Sequence, residues 1–205
     1  MTTLEHAMLA SYGVLASGLN RSRGWQLVAV AGVAAILPDW DGLTLLWSVS
    51  LFDEAHRCWG HGLLSCLTVA VILAILDCRF DLMTRLTRLF FRVTRVQAPP
   101  AVLVKRLKPG IMDYTVWNLV VFAAMLSHLF ADMIVSGAEG LSDWEIKIFW
   151  PFSEKGLVWP LIPWGDVGVI LIFFAGLFAM IRWKTRTQLI AILTLTASGL
   201  YAIFR

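Results

Sequence analysis

Charged side chains are scarce in this sequence. Asp, Glu, Lys and Arg make up only 15% of 205 residues, too few to coat a soluble domain of this size. Cysteine is scarce too: Cys58, Cys66 and Cys78 form no CxxC pair and leave an odd count. That excludes a disulfide framework and a Cys-rich zinc site, and leaves the three as small packing residues. No Lys or Arg precedes the first apolar stretch, which instead begins at Glu5. This is the wrong polarity for a cleavable secretory signal, so the stretch is read as mature structure. No Pro/Gly/Ser-rich linker, internal repeat or low-complexity tract divides the chain, and residues 1–205 are read as one domain. A net charge of +3 carries no suggestion of nucleic acid.

What is abundant is apolar. The chain is 59% hydrophobic with ten tryptophans, and its mean hydropathy is +0.74. The lipid bilayer is the partner these numbers imply. Apolar helical stretches run over 5–20, 25–38, 61–78, 114–135, 166–181 and 188–204, which predicts an all-α, polytopic transmembrane bundle of about six spans. The first two are the shortest, since 15 helical residues rise only about 22 Å against a hydrocarbon core of about 30 Å. Either can be re-entrant.

Splitting the connecting loops into two alternating sets fixes an orientation, because cytoplasmic loops collect Lys and Arg. One set holds Arg21, Arg23, Arg79, Arg85, Arg88, Arg92, Arg95, Lys105, Arg106, Lys108, Arg182, Lys184 and Arg186; the other holds only Arg57, Lys147, Lys155 and Arg205. Acids go the opposite way, with only Asp77, Asp81 and Asp113 on the basic side. Both termini are therefore expected outside the cytoplasm, with a basic cytoplasmic loop at about 79–112. Within that loop Arg85, Arg88, Arg92 and Arg95 recur at helical spacing among Leu82, Met83, Leu86, Leu89, Phe90 and Val93. That is the pattern of an amphipathic helix on the inner leaflet, although an ordinary basic loop obeying the same charge rule accounts for it as well. Pro99-Pro100 and Pro109-Gly110 break the chain before the next span.

The histidines took no part in that assignment, yet His6, His56, His61 and His128 all fall on the acidic side. The stretch "LSHLFAD" places His128 and Asp132 four residues apart, about 40° around a helix, so both can reach one ion. Ionisable groups within a span are costly and mark functional sites, and an imidazole with a carboxylate suits zinc, manganese or iron. The bland reading is a hydrogen-bonded core histidine and an interfacial aspartate. In "ILPDWDGL", Pro38 stops a helix and sets Asp39 and Asp41 at the interface, where alternate residues can point into one site; a polar helix end looks the same. "HRCWGHGLL" adds His56, Arg57 and His61, and the Arg57 guanidinium suits an anionic group as well as it suits a snorkelling role. Glu139, Asp143 and Glu145 are read as solvated loop charges.

Taken in order, "EHAMLASYG", "LPDWDGL", "HRCWGHGLL", "LSHLFAD" and "FWPFS" resemble the signature blocks of a bacterial family of membrane-bound metal-dependent hydrolases, the YdjM-like inner-membrane hydrolases. The resemblance extends from about residue 5 to residue 153. Its pattern is matched by His6, Asp39, Asp41, His56, Arg57, His61, His128, Asp132 and Trp150-Pro151-Phe152-Ser153. Cys58, Gly60 and Gly62 depart from it and remove side-chain hydroxyls beside His61. More distantly, the order of His and Asp is similar to the ligand order of zinc-dependent phospholipase C and related nucleases.

The resemblance implies one or two divalent ions, zinc foremost, in the inner (cytoplasmic) membrane. Asp39, His61, His128 and Asp132 can bind one metal, with His6 and a bridging Asp132 helping to hold a second. Asp41 or His56 serves as base or outer orienter, and Arg57 holds the leaving anion. A phosphoester or lipid-like substrate suits a site at the non-cytoplasmic interface. The alternatives are a non-enzymatic membrane protein with a structural metal and an ion-coupled transporter.

Overall fold

A computed structural model describes residues 1–97, 109–138 and 143–205. Among these the regular structure is entirely helical. The order is α1 (Thr3–Ser17), α2 (Leu19–Arg23), α3 (Gln26–Ala34), a 3-10 stretch (Leu37–Leu46), α4 (Val49–Ala55), α5 (Leu63–Phe80), α6 (Leu82–Thr94), α7 (Ile111–Ile134), α8 (Gly168–Arg182), a 3-10 turn (Lys184–Arg186) and α9 (Thr187–Phe204). Residues 144–164 run in irregular extended chain, with single bridges from Val135 to Ile162 and from Ile146 to Leu157.

Local chemistry sets the ends that matter for the site. Helix α1 opens with a capping box: Thr2 Oγ1 accepts from Glu5 N at 3.3 Å, and the Glu5 carboxylate accepts from Thr2 N at 2.7 Å. His6 is thereby held in the first turn. Pro38 cannot continue α3, and the chain passes into the 3-10 stretch at a 43° bend. At the far end of α5, Asp81 takes a left-handed conformation (φ 52°) that turns the chain into α6. The buried Asp77 carboxylate accepts from Met83 N and Trp117 Nε1, each at 2.7 Å, and ties α5, α6 and α7 together there.

The core is built where α1, α3, α5 and α7 meet. Ala31, Ala34, Ala70, Ala74 and Ala124 let these helices approach closely, and Leu27, Val30, Trp117, Val121 and Met125 fill the space between. A second cluster packs α8 and α9 on the outside of α1 around Phe173, Ile190 and Ala191, with Tyr12 donating to the Phe173 carbonyl at 2.7 Å. Cys58, Cys66 and Cys78 are buried, as expected of packing residues. The outward faces of α5, α8 and α9 expose Leu67, Val71, Ile75, Phe178 and Leu193, a surface suited to lipid and not to water.

Among the described residues, three helices are long and apolar enough to cross a membrane: α5, α7 and α9 with its preceding turn. They become four if α3 and the 3-10 stretch form one bent span. Helices α1 and α8, which complete the expected six, have 15 residues each, about 22 Å of rise. The amphipathic helix expected in the basic loop is α6, and the remainder of that loop, 98–108 with Pro99, Pro100, Lys105, Arg106 and Lys108, lies outside the described residues.

Candidate metal centre

Helices α5 and α7 pack against each other and bring the sequence-predicted donors to one end of the bundle. His61 sits in the turn just before α5, and His128 and Asp132 occupy the last two turns of α7. Asp39 comes from the 3-10 stretch beside them. One donor atom from each of Asp39, His61, His128 and Asp132 lies within 4.8 Å of every other. His61 and His128 are fully buried and Asp132 nearly so.

Hydrogen bonding at the outer nitrogens decides what this cluster can hold. His61 Nδ1 lies 2.9 Å from Asp41 Oδ2, and a carboxylate only accepts, so Nδ1 carries the proton. His128 Nδ1 lies 2.7 Å from the Ala35 carbonyl, and the same reasoning applies. Each ring therefore turns Nε2 inward, where it offers a lone pair whenever the ring is neutral. The two Nε2 atoms are 3.1 Å apart, each 3.4–3.7 Å from Asp39 Oδ1 and Asp132 Oδ2. Two imidazole nitrogens and two carboxylates facing one another at these distances can hold a metal ion between them. The donor set, with each imidazole oriented from behind by an acceptor, fits a divalent metal.

Asp41 does not face the cluster. It is fully buried, and it also accepts from His56 Nδ1 and from Gly60 N, both at 3.0 Å. Asp41 thus supplies the support that the missing hydroxyls around His61 do not. The departures at positions 60 and 62 have their own reason: a Cβ on Gly60 would sit 1.9 Å from the Pro38 carbonyl oxygen, and one on Gly62 would sit 2.9 Å from the Trp150 carbonyl oxygen. Glycine lets the Asp39–Asp41 segment and the "FWPFS" block close onto the His61 turn. Ile148, just ahead of that block, braces the turn, with Leu63 N donating to its carbonyl at 2.8 Å. Burial pushes the Cys58 thiol pKa up, which keeps it a protonated packing group.

His6 stands beside the four donors and not among them. Its ring stacks on His128 with centroids 3.7 Å apart, and Nε2 is 3.0 Å from Asp132 Oδ1. The direction of approach is wrong for a hydrogen bond, and both ring nitrogens are buried without one. Such a pair of orphaned atoms next to a carboxylate fits a second cation position with Asp132 shared. The Met1 amino group reaches the same Asp132 oxygen at 2.6 Å.

Arg57 adopts φ 61°, a costly conformation for a non-glycine residue. Its guanidinium donates to the Trp144 carbonyl at 2.6 Å and lies over the Trp144 ring at 5.3 Å. Nη2 is 3.5 Å from Asp132 Oδ2. Arg57 thus balances the charge of Asp132. Trp144 and Ser136, which exchange hydrogen bonds at 2.9 and 3.2 Å, complete this support; nothing in residue type or spacing marked them.

A cleft of about 670 Å³ opens over the cluster, lined by Asp39, Asp132, Arg57, His56 and Trp144 among others. Asp53 and Glu145 also line it; Glu145 is exposed, as expected of a solvated loop charge. Glu139 lies outside the described residues. His56 and Asp39 are the partly exposed members of the set, with 30% and 29% of their side chains accessible. A comparison with curated proteins and with solved structures finds no match. The family described as YdjM inner membrane protein matches residues 1–205, and the chain belongs to that family.

Proposed function

We propose that this protein is a membrane-bound metal-dependent hydrolase acting on a phosphoester, with a lipid-like substrate, at the non-cytoplasmic face of the inner membrane. The observation that carries the metal half is the pair of Nε2 lone pairs of His61 and His128, 3.1 Å apart. The hydrolase half is supported by the cleft above them, which leaves the carboxylates of Asp39 and Asp132 reachable from outside. A structural metal site closed on four protein ligands has no need of such an opening.

In this reading Asp39, His61, His128 and Asp132 hold the ion, zinc foremost, and His6 with Asp132 holds a second. A bound divalent ion lowers the pKa of a coordinated water and polarises the bond to be cut. The chain's own residues do the rest. Asp41 keeps His61 in the tautomer that offers Nε2. His56, hydrogen-bonded to Asp41 and open to the cleft, is placed to take up or deliver a proton through Nε2. Arg57 holds Asp132 in place and offers positive charge to an anion entering the cleft. The outward orientation rests on the excess of Lys and Arg on the opposite loops, and α1 and α8 complete a six-span bundle as short spans.

The test is elemental analysis of the purified protein together with assays on phosphomonoester and phosphodiester probes. About one or two divalent ions per chain and metal-dependent hydrolysis are expected. A protein that binds no metal, or binds it and cleaves neither probe, refutes the reading.

A further inference from the structure

One wall of the cleft has an unexpected outer surface. The chain carries no charged residue between Asp41 and Asp53. In that interval Gly42 and Phe52 face the cleft, while Leu43, Leu45, Leu46, Trp47 and Val49 point away from the protein. Leu46 is 79% exposed and Trp47 75%. Single exposed apolar residues are ordinary, but a contiguous set of five on one short wall marks an interaction surface.

The surroundings of this wall say what covers it. Helix α3 and the 3-10 stretch together are apolar enough for a membrane span, but they bend by 43°. The wall is the end of a broken apolar segment, leaving the bundle sideways. The Trp40 and Trp59 rings, 6.3 Å apart, hold it beside the turn that begins α5. There Leu64 and Leu67 already face outward on a helix long and apolar enough to span. The exposed wall thus begins close to the turn that leads into the outward apolar face of α5, at the level where a tryptophan belongs to a membrane interface.

We propose that residues 43–49 dip into the headgroup and acyl boundary of the leaflet on the metal side, so that the cleft opens at the bilayer surface. A phosphoester carried by a lipid then reaches the donors from the leaflet. The insertion half stands on its own; the substrate half rests on the hydrolase reading above.

The wall is tested on the full-length protein in phosphatidylcholine–phosphatidylglycerol vesicles, with Leu46→Cys carrying an environment-sensitive fluorophore. The native cysteines are buried, which confines labelling to position 46. Nitroxide groups on the lipid chains should quench this probe, and aqueous iodide should not. Quenching by iodide overturns the proposal, and so does shielding from both quenchers, which would mean that a second copy of the chain covers the wall.

The substrate half is tested with a Leu46→Asp, Trp47→Asp variant whose metal content is first shown to be unchanged. Its turnover of a long-chain phosphoester in vesicles should fall by about tenfold or more, the scale of losing the burial of one large side chain. Its turnover of a water-soluble phosphoester should be unchanged. Equal losses on both probes overturn lateral delivery. Absence of turnover in the wild type refutes the hydrolase reading and the delivery step with it, and leaves the quenching result to decide insertion.

Discussion

His61 and His128 face each other through Nε2 atoms 3.1 Å apart, each with its Nδ1 proton already committed to another acceptor. Such a pair is satisfied by a proton shared between the rings or by a metal ion, so the affinity for a metal ion tests that relationship directly. His61→Ala and His128→Ala should each weaken binding of the ion severely, because each removes one of only two imidazole donors. Asp41→Asn should keep the ion but bind it about 10–100-fold more weakly, as is typical when a histidine ligand loses its outer acceptor. Competition with a chromophoric chelator reads both effects. Full affinity in Asp41→Asn would show that the His61 tautomer is set by something other than Asp41.

How much of the site and fold is legible in the sequence depends on how locally each feature is encoded. His128 and Asp132 share a helix face by four-residue spacing alone, and Asp39 and Asp41 announce themselves behind Pro38. That Asp39 faces inward while Asp41 turns to His56 and His61 follows from the 3-10 conformation of the stretch, which alternation in an extended turn does not anticipate. The acceptor behind His128 is a main-chain carbonyl, Ala35 O, and no residue type signals that. The Arg57 support is likewise a backbone contact to Trp144, 87 positions away. The number of spans is the least legible: α8 is apolar but short, α1 has only 15 residues, and one proline divides a span-length segment in two.

Removing the ion should destabilise the fold. A ligand present at a hundred times its dissociation constant stabilises by about 2.7 kcal/mol, and an ion held here would join the turn before α5 to α7 and the 3-10 stretch. Chelation should therefore lower the thermal midpoint in detergent, and restoring zinc should recover it. Acidification should act in the same direction, because the imidazoles and carboxylates bind metal only when deprotonated. A midpoint indifferent to chelator would show that the cluster is occupied by protons alone.

Two glycine substitutions separate close approach from helix propensity. Gly60→Ala sets a methyl group 1.9 Å from the Pro38 carbonyl oxygen and must push the Asp39–Asp41 segment away from His61. It should cost about 1–3 kcal/mol, the usual range for overpacking, and lower metal content as well. Gly13→Ala, in the middle of α1, meets nothing within 4 Å. It should be neutral or should stabilise by about 0.5–1 kcal/mol. Denaturation in detergent compares them directly, and a harmless Gly60→Ala would contradict the closeness of the two segments.

Arg57 separates a charge role from a geometric one. Arg57→Lys keeps a cation near Asp132 but loses the planar fork that reaches the Trp144 carbonyl and the carboxylate together. Arg57→Ala also leaves that carbonyl without its donor, a cost of about 1–3 kcal/mol. Both should retain the ion, and both should lower kcat/KM on a phosphoester, with Ala the more severe. Equal loss in Lys and Ala would show that the fork matters and the charge alone does not.

The two ends of α5 differ in chemistry, and that difference sets which way the site faces. The donors lie at one end of α5 and α7, and Arg79, Arg85, Arg88 and Arg92 lie at or beyond the other end of α5. Because cytoplasmic loops retain Lys and Arg, the arginine end should be inside and the metal end outside. Single cysteines introduced in the exposed parts of 40–60 and 143–165 should react in intact spheroplasts with a reagent that cannot cross the membrane. Cysteines at positions 85–95 should react only after permeabilisation. The reverse pattern would place the cleft in the cytoplasm, and any lipid it meets would then belong to the inner leaflet.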